Sequence, residues 1–183
     1  MPMTRFPLPR DASYAYESAF GLGDGDHHGT DIFAVRGTPV LAVARGMARS
    51  AEDPKGGLVV YLDEITLEGG VKGPVRTYYY AHLDDVIDPV PGGTLVEAGE
   101  VIGHLGDSGN AKGGDPHLHF QVKSGGSLMN PYPELRRVDP KVPGPGKDPI
   151  DLSPAGPGAI EVGLGVLFLV GIGWFLFGRK RRA

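Results

Sequence analysis

No cysteine occurs among the 183 residues, so neither a disulfide framework nor a thiolate metal site is open to this chain. Any bound metal has to take histidine and carboxylate ligands. Basic charge is also scarce where a nucleic-acid surface would need it. Four of the 18 basic residues, Arg179, Lys180, Arg181 and Arg182, crowd the C-terminus, leaving 14 against 22 acidic residues in the remainder, a net −8 that argues against a nucleic-acid-binding body. The glycine-rich loops lack the lysine and Ser/Thr of a phosphate cradle, which excludes a nucleotide site of that kind. The opening residues MPMTRFPLPRDASYAYESAF hold no apolar core of signal-peptide length, so no signal peptide is expected there.

Glycine (30) and proline (17) are plentiful, yet apolar runs of strand length separate them, which favours turn-rich β structure over disorder. The clearest runs are Pro39 to Ala44, Leu58 to Leu62, Val75 to His82, Val101 to Leu105 and His117 to Val122. No window of helical period and length competes with them. The expected architecture is all-β, a compact antiparallel sandwich or barrel-like domain over residues 1–135.

Beyond it, residues 136–159 are dominated by proline and glycine and read as a semi-stiff linker. Residues 160–178 are apolar apart from Glu161. Their uncharged part, Val162 to Gly178, is 17 residues, just long enough at about 1.5 Å per residue to cross a thin hydrocarbon layer. The basic tail 179–183 follows, and the positive-inside bias keeps it cytoplasmic. The expectation is a C-terminal membrane helix that holds residues 1–135 on the extracytoplasmic side.

The stretch Asp115 to Val122, DPHLHFQV, places two imidazoles at i and i+2 of a strand. His117 and His119 therefore share a face, while Leu118 and Phe120 take the opposite, apolar one. Upstream lies His27-His28-Gly29-Thr30-Asp31. In a straight strand positions 27 and 31 stand about 13 Å apart, too far for one ion, so a shared metal requires a bend, for which Gly29 supplies permissive backbone. His27, Asp31 and one imidazole of the His117/His119 pair then offer three ligands and leave a fourth position for water, the pattern of a catalytic zinc site. The other imidazole and His82 would face that position unliganded, able to accept or donate a proton.

HHGTD followed by GTPV, YAHL, then GDSGNAKGGDPHLHFQV and Asn130-Pro131 closely resemble the lysostaphin-type (LytM-like) zinc metallopeptidases, which cut peptide bonds of peptidoglycan. The resemblance runs from about Phe6 to Leu135. It implies one Zn²⁺ per domain held by His27, Asp31 and His119, with His82 and His117 acting on the water and the intermediate, and peptidoglycan peptides as substrate. His28 adjoins a ligand, but the H-x-G-x-D spacing selects His27. Tyr80 and Asn110 are expected to line the substrate cleft. His104 reads as an exposed strand residue, and Gly114 and Asp115 as loop.

Two other functions compete. A LytM-like module that has lost catalysis and activates another wall hydrolase would be expected to lack ligands, whereas all five key positions are filled here. GTPVLAVARG and GGTLVEAGEVIGHLG suggest a biotinyl or lipoyl carrier domain, but no lysine flanked by methionines stands at a hairpin tip.

Overall fold

A computed structural model describes residues 3–21, 27–65, 76–87 and 93–142. Ten strands form: β1 (Tyr14–Tyr16), β2 (Thr30–Ala34), β3 (Pro39–Leu41), β4 (Gly46–Asp53), β5 (Gly57–Glu64), β6 (Arg76–Val86), β7 (Thr94–Val96), β8 (Val101–Leu105), β9 (His117–Ser124) and β10 (Ser127–Met129). Each of the five apolar runs falls wholly or partly in a strand. β4, with sequence GMARSAED, has no apolar run because Gly46 alone in it is buried, and pairing with β5 along its whole length makes it a strand.

All pairings are antiparallel, in the order β1-β2-β9-β6-β5-β4-β7, and β10 continues the edge of β9 beyond β2. β6 is the branch point. Its first half, Arg76 to Ala81, pairs with β9, and its second half, from Leu83, pairs with β8, which in turn holds β3. The fork encloses the core, where Val40 of β3 and Ile102 and Leu105 of β8 join Tyr78 and Tyr80 of β6 and Leu118, Phe120 and Val122 of β9. The Phe120 ring packs against both tyrosines, with centroids 6.1 Å from Tyr78 and 5.2 Å from Tyr80. Residues 118, 120 and 122 being buried, strand alternation leaves His117, His119, Gln121 and Lys123 on the other face.

The body is mostly β-sheet, as expected, with one helix besides: α1 spans Tyr132–Val138, across the boundary expected at residue 135. Pro131 and Pro133 start it where a missing N–H costs nothing, and Arg136 and Arg137 lie in its last turn, where cations suit the dipole. Seven residues bury one side chain, Leu135, so no helical period could show in the sequence.

The start of the expected linker is likewise part of the folded body. Asp139 is 6% exposed and accepts hydrogen bonds from Tyr14 Oη (2.6 Å) and Tyr16 Oη (2.8 Å) of β1. Glu134 pairs with Arg76, and Arg137 donates to the Met3 carbonyl, which fastens the helix to β6 and to the buried N-terminal segment. Among the described residues no helix is long and apolar enough to cross a membrane. Residues 143–183, with most of the expected linker, the apolar run and the basic tail, lie outside the described residues.

Candidate metal centre and catalytic cleft

Asp31 of β2 and His119 of β9 are register partners across an antiparallel pair, so their side chains rise from one face. His119 Nδ1 lies 2.7 Å from Asp31 Oδ1, and His27 Nε2 lies 3.1 Å from Asp31 Oδ2. The ligand atoms of His27, Asp31 and His119 all fall within 4.8 Å of one another. The chain bends at Gly29 to bring His27 back, but glycine serves there as space. Its φ is not in the left-handed region, and a Cβ at position 29 would stand 2.6 Å from the Phe120 carbonyl oxygen and 2.8 Å from the His119 ring.

The protons of this cluster can be placed from its partners. His27 Nδ1 is 3.0 Å from the Ala19 carbonyl, which can only accept, so Nδ1 carries the hydrogen. A neutral His27 then turns the lone pair of Nε2 toward a carboxylate oxygen. Two acceptors at that distance require a cation between them, either a proton or a metal. The donor set of two imidazoles and a carboxylate, already gathered at a spacing close to the roughly 3.3 Å between ligands of a tetrahedral zinc, fits that metal. Burial pushes the Asp31 carboxyl up, but the hydrogen bonds of His119 and His27 and the positive charge these rings bring when protonated outweigh it, leaving Asp31 at about 2. Gln121 Nε2, 2.9 Å from His119 Nε2, steadies the far side of that ring.

His82 and His117 are held differently. Between Leu58↔Leu83 and Val60↔Tyr80 the β5–β6 register slips by one residue, a bulge on β6, and His82 within it has φ 64°, the one positive φ of a non-glycine residue among those described. Two backbone carbonyls fix it there. His82 N–H donates to Gly56 O (2.8 Å) and Nδ1–H to Ser108 O (2.8 Å). Gly56 sits in the β4–β5 turn and Ser108 in the loop before β9. The two loops are locked together, since Gly57 and Gly109 approach so closely that a Cβ on either would overlap the other's backbone.

His117 donates Nδ1–H to Asp115 O at 2.8 Å, and its ring centroid lies 4.8 Å from that of His82. Each imidazole is therefore pinned at Nδ1, with Nε2 as the nitrogen left for chemistry. Desolvation lowers the His82 pKa, reinforced by His117 and His119 and opposed by the Ser108 bond.

These five residues open onto a cleft of about 650 Å³. Asn110 and His28 both line it. Tyr80 does not. It is 0% exposed, and its hydroxyl accepts the Val43 N–H inside the core. Counting i+2 from Tyr80 to His82 passes through the bulge, which reverses the alternation, so that Tyr79 reaches the cleft. Tyr61, Asp53, Lys55, Gln121 and Lys123 also line it and were not singled out in the sequence. Gln121 and Lys123 could have been found by extending the i, i+2 row of β9, and Tyr79 as the register partner of Gln121. His104 lies away from the cleft, half-buried and paired through Nδ1 with Asp85 Oδ1 at 2.7 Å.

A family model described as Peptidase family M23 matches residues 25–131. The L-Ala--D-Glu endopeptidase of Bacillus subtilis (strain 168) is 35% identical over 147 residues, which cover 72% of this chain and 42% of that protein. Glycyl-glycine endopeptidase ALE-1 of Staphylococcus capitis is 33% identical over 122 residues, covering 63% of this chain and 31% of that protein. The chain spans less than half the length of these curated relatives. Among solved structures, the antimicrobial peptidase lysostaphin from Staphylococcus simulans superposes with a TM-score of 0.56 at 27% identity, covering 80% of this chain and 61% of that one.

Proposed function

Because the chain belongs to peptidase family M23, we propose that it is a zinc-dependent endopeptidase that hydrolyses peptide cross-links of bacterial peptidoglycan. The observation that carries this reading is the pair of acceptors at 3.1 Å, His27 Nε2 and Asp31 Oδ2, beside His119, in a cleft that also presents two imidazoles with Nε2 disengaged. His27, Asp31 and His119 would hold the ion. Zinc bound there supplies Lewis-acid polarisation of a water and of the scissile carbonyl.

The chain's own groups handle the proton. As the water oxygen bonds to the carbonyl carbon, a neutral Nε2 of the His82/His117 pair takes one water proton. The same pair returns it to the amide nitrogen as the C–N bond breaks, and the products leave as an acid and an amine. Burial keeps His82 in the neutral, accepting form, and the carbonyls of Ser108 and Asp115 hold both rings in the required tautomer.

The proposed organisation is a catalytic body ending after helix α1, a Pro/Gly-rich linker reaching residue 159, a membrane helix over 160–178 and a basic tail over 179–183. The body would then face the wall. The test is incubation of the purified full chain with peptidoglycan and mass spectrometry of the released peptides. Release that stops with a chelator and returns with zinc is expected. Stoichiometric zinc without release from any peptidoglycan would point to a non-catalytic module that binds and activates another wall hydrolase.

A further inference from the structure

Beyond the His27–Asp31–His119 cluster the cleft floor continues along β9 as Gln121 and Lys123, opposite Tyr79 and Thr77 of β6. At about 3.3 Å per residue, the Lys123 backbone stands about 13 Å from that of His119, some four residues of an extended peptide. Lys55 flanks the cleft on the side of the β4–β5 turn, where its carbonyl accepts the Asn110 N–H. Both lysines are exposed, and neither ammonium is ion-paired among the described residues.

The carboxylate nearest to them in sequence is committed elsewhere. Asp53 Oδ1 accepts the N–H groups of Lys55 (2.9 Å) and Gly56 (2.7 Å), and the Tyr79 hydroxyl bonds to the same side chain. Apart from Asp53, the only carboxylate lining the cleft among the described residues is Asp31, which lies between His27 and His119. Among the described residues neither ammonium has an ion partner, so two cationic side chains stay available along the cleft.

We propose that Lys55 and Lys123 select peptide segments carrying a free carboxylate within about four residues of the bond to be cut, and disfavour uncharged oligoglycine bridges. This deepens the endopeptidase reading and rests on it for the location of the bond. Stem peptides linked through D-glutamate offer such a carboxylate. Oligoglycine offers only backbone amides, to which an ammonium contributes little selectivity.

The probes, all N-acetylated and C-terminally amidated so that no terminal carboxylate competes, are L-Ala-γ-D-Glu-L-Lys-D-Ala, its D-isoglutamine counterpart in which the glutamate carboxylate is an amide, and pentaglycine. Binding is measured to the full zinc-loaded chain carrying H117A, so that turnover does not intrude, and hydrolysis is measured separately with His117 intact. The carboxylate peptide is expected to bind roughly threefold to tenfold more tightly than its amide, the range two part-exposed charge pairs supply. The preference should shrink as salt is raised and fall toward unity in K55Q/K123Q. Equal affinities for carboxylate and amide, or a preference that survives K55Q/K123Q, would overturn the proposal. Discrimination in binding without hydrolysis of any peptide or of peptidoglycan would instead defeat the endopeptidase reading while leaving the anion preference standing.

Discussion

The two sides of the cleft use the same side chain for opposite ends. On one side His27 and His119 are drawn onto a shared carboxylate, and the cluster is left wanting a cation. On the other, His82 and His117 touch no carboxylate among the described residues. Each spends Nδ1 on a backbone carbonyl, so that Nε2 is the nitrogen turned to the cleft. What separates a prospective ligand from a prospective acid/base here is the partner of the ring. A carboxylate concentrates negative charge for a metal, whereas a carbonyl fixes a tautomer and leaves basicity to burial.

The sharpest way to break this contrast is Asp31→Ala. Without the carboxylate, His27 and His119 lose their common partner, and two imidazoles are too few to hold zinc against water. Zinc content and hydrolysis should both fall to the level of metal-free protein, and stoichiometric zinc in the purified variant would refute the ligand role. On the opposite side, His82→Ala should keep most of its zinc and lose roughly 10²–10⁴ in turnover, the usual contribution of a positioned proton-transfer group. Parallel loss of zinc would erase the distinction between the two sides.

A subtler blow falls on the support of the metal side. Gly29→Ala adds a Cβ where the Phe120 carbonyl and the His119 ring already stand. It should weaken zinc affinity by roughly 10–100-fold through displacement of a ligand, and unchanged affinity in a metal-buffered titration would show that the ring has room to move.

The smallest expected effect concerns the strained backbone of the other side. The left-handed conformation of His82 costs an ordinary residue about 1–2 kcal/mol, and Asn tolerates it better than Ala. His82→Asn should therefore unfold at higher denaturant than His82→Ala, by about 0.5–1 kcal/mol. The pH dependence has a definite sign. With the His82 pKa lowered in the folded state, the unfolded chain takes the proton more readily. Its contribution is intact above the ordinary value near 6.5 and is lost as pH falls from there through the folded-state pKa. The metal-free parent should lose more stability on acidification across that window than His82→Asn does, and identical slopes would mean that burial does not perturb this ring.

Much of this contrast could be read before any coordinates. The alternation of Leu118, Phe120 and Val122 with His117, His119 and Gln121 is a local property of one strand, and the need for a bend between His27 and Asp31 follows from strand rise alone. What escaped depends on register or on a few residues. The bulge at His82 is a relation between β5 and β6, invisible in either run, and it exchanged Tyr79 for Tyr80 at the cleft. Helix α1 is too short to show a period, and Asp139 looks like one more linker residue until Tyr14 and Tyr16 are brought against it from more than 120 positions away. Gly29 reads as a point of backbone freedom because a sequence does not show what lies above a missing side chain.

His117 and His119, two residues apart on one strand, would thus serve different ends. Zinc content and peptidoglycan hydrolysis measured together in His119→Ala and His117→Ala separate them. His119→Ala is expected to lose both, whereas His117→Ala keeps most of its zinc and loses hydrolysis. Zinc retained by both variants, or lost only from His117→Ala, would contradict that division.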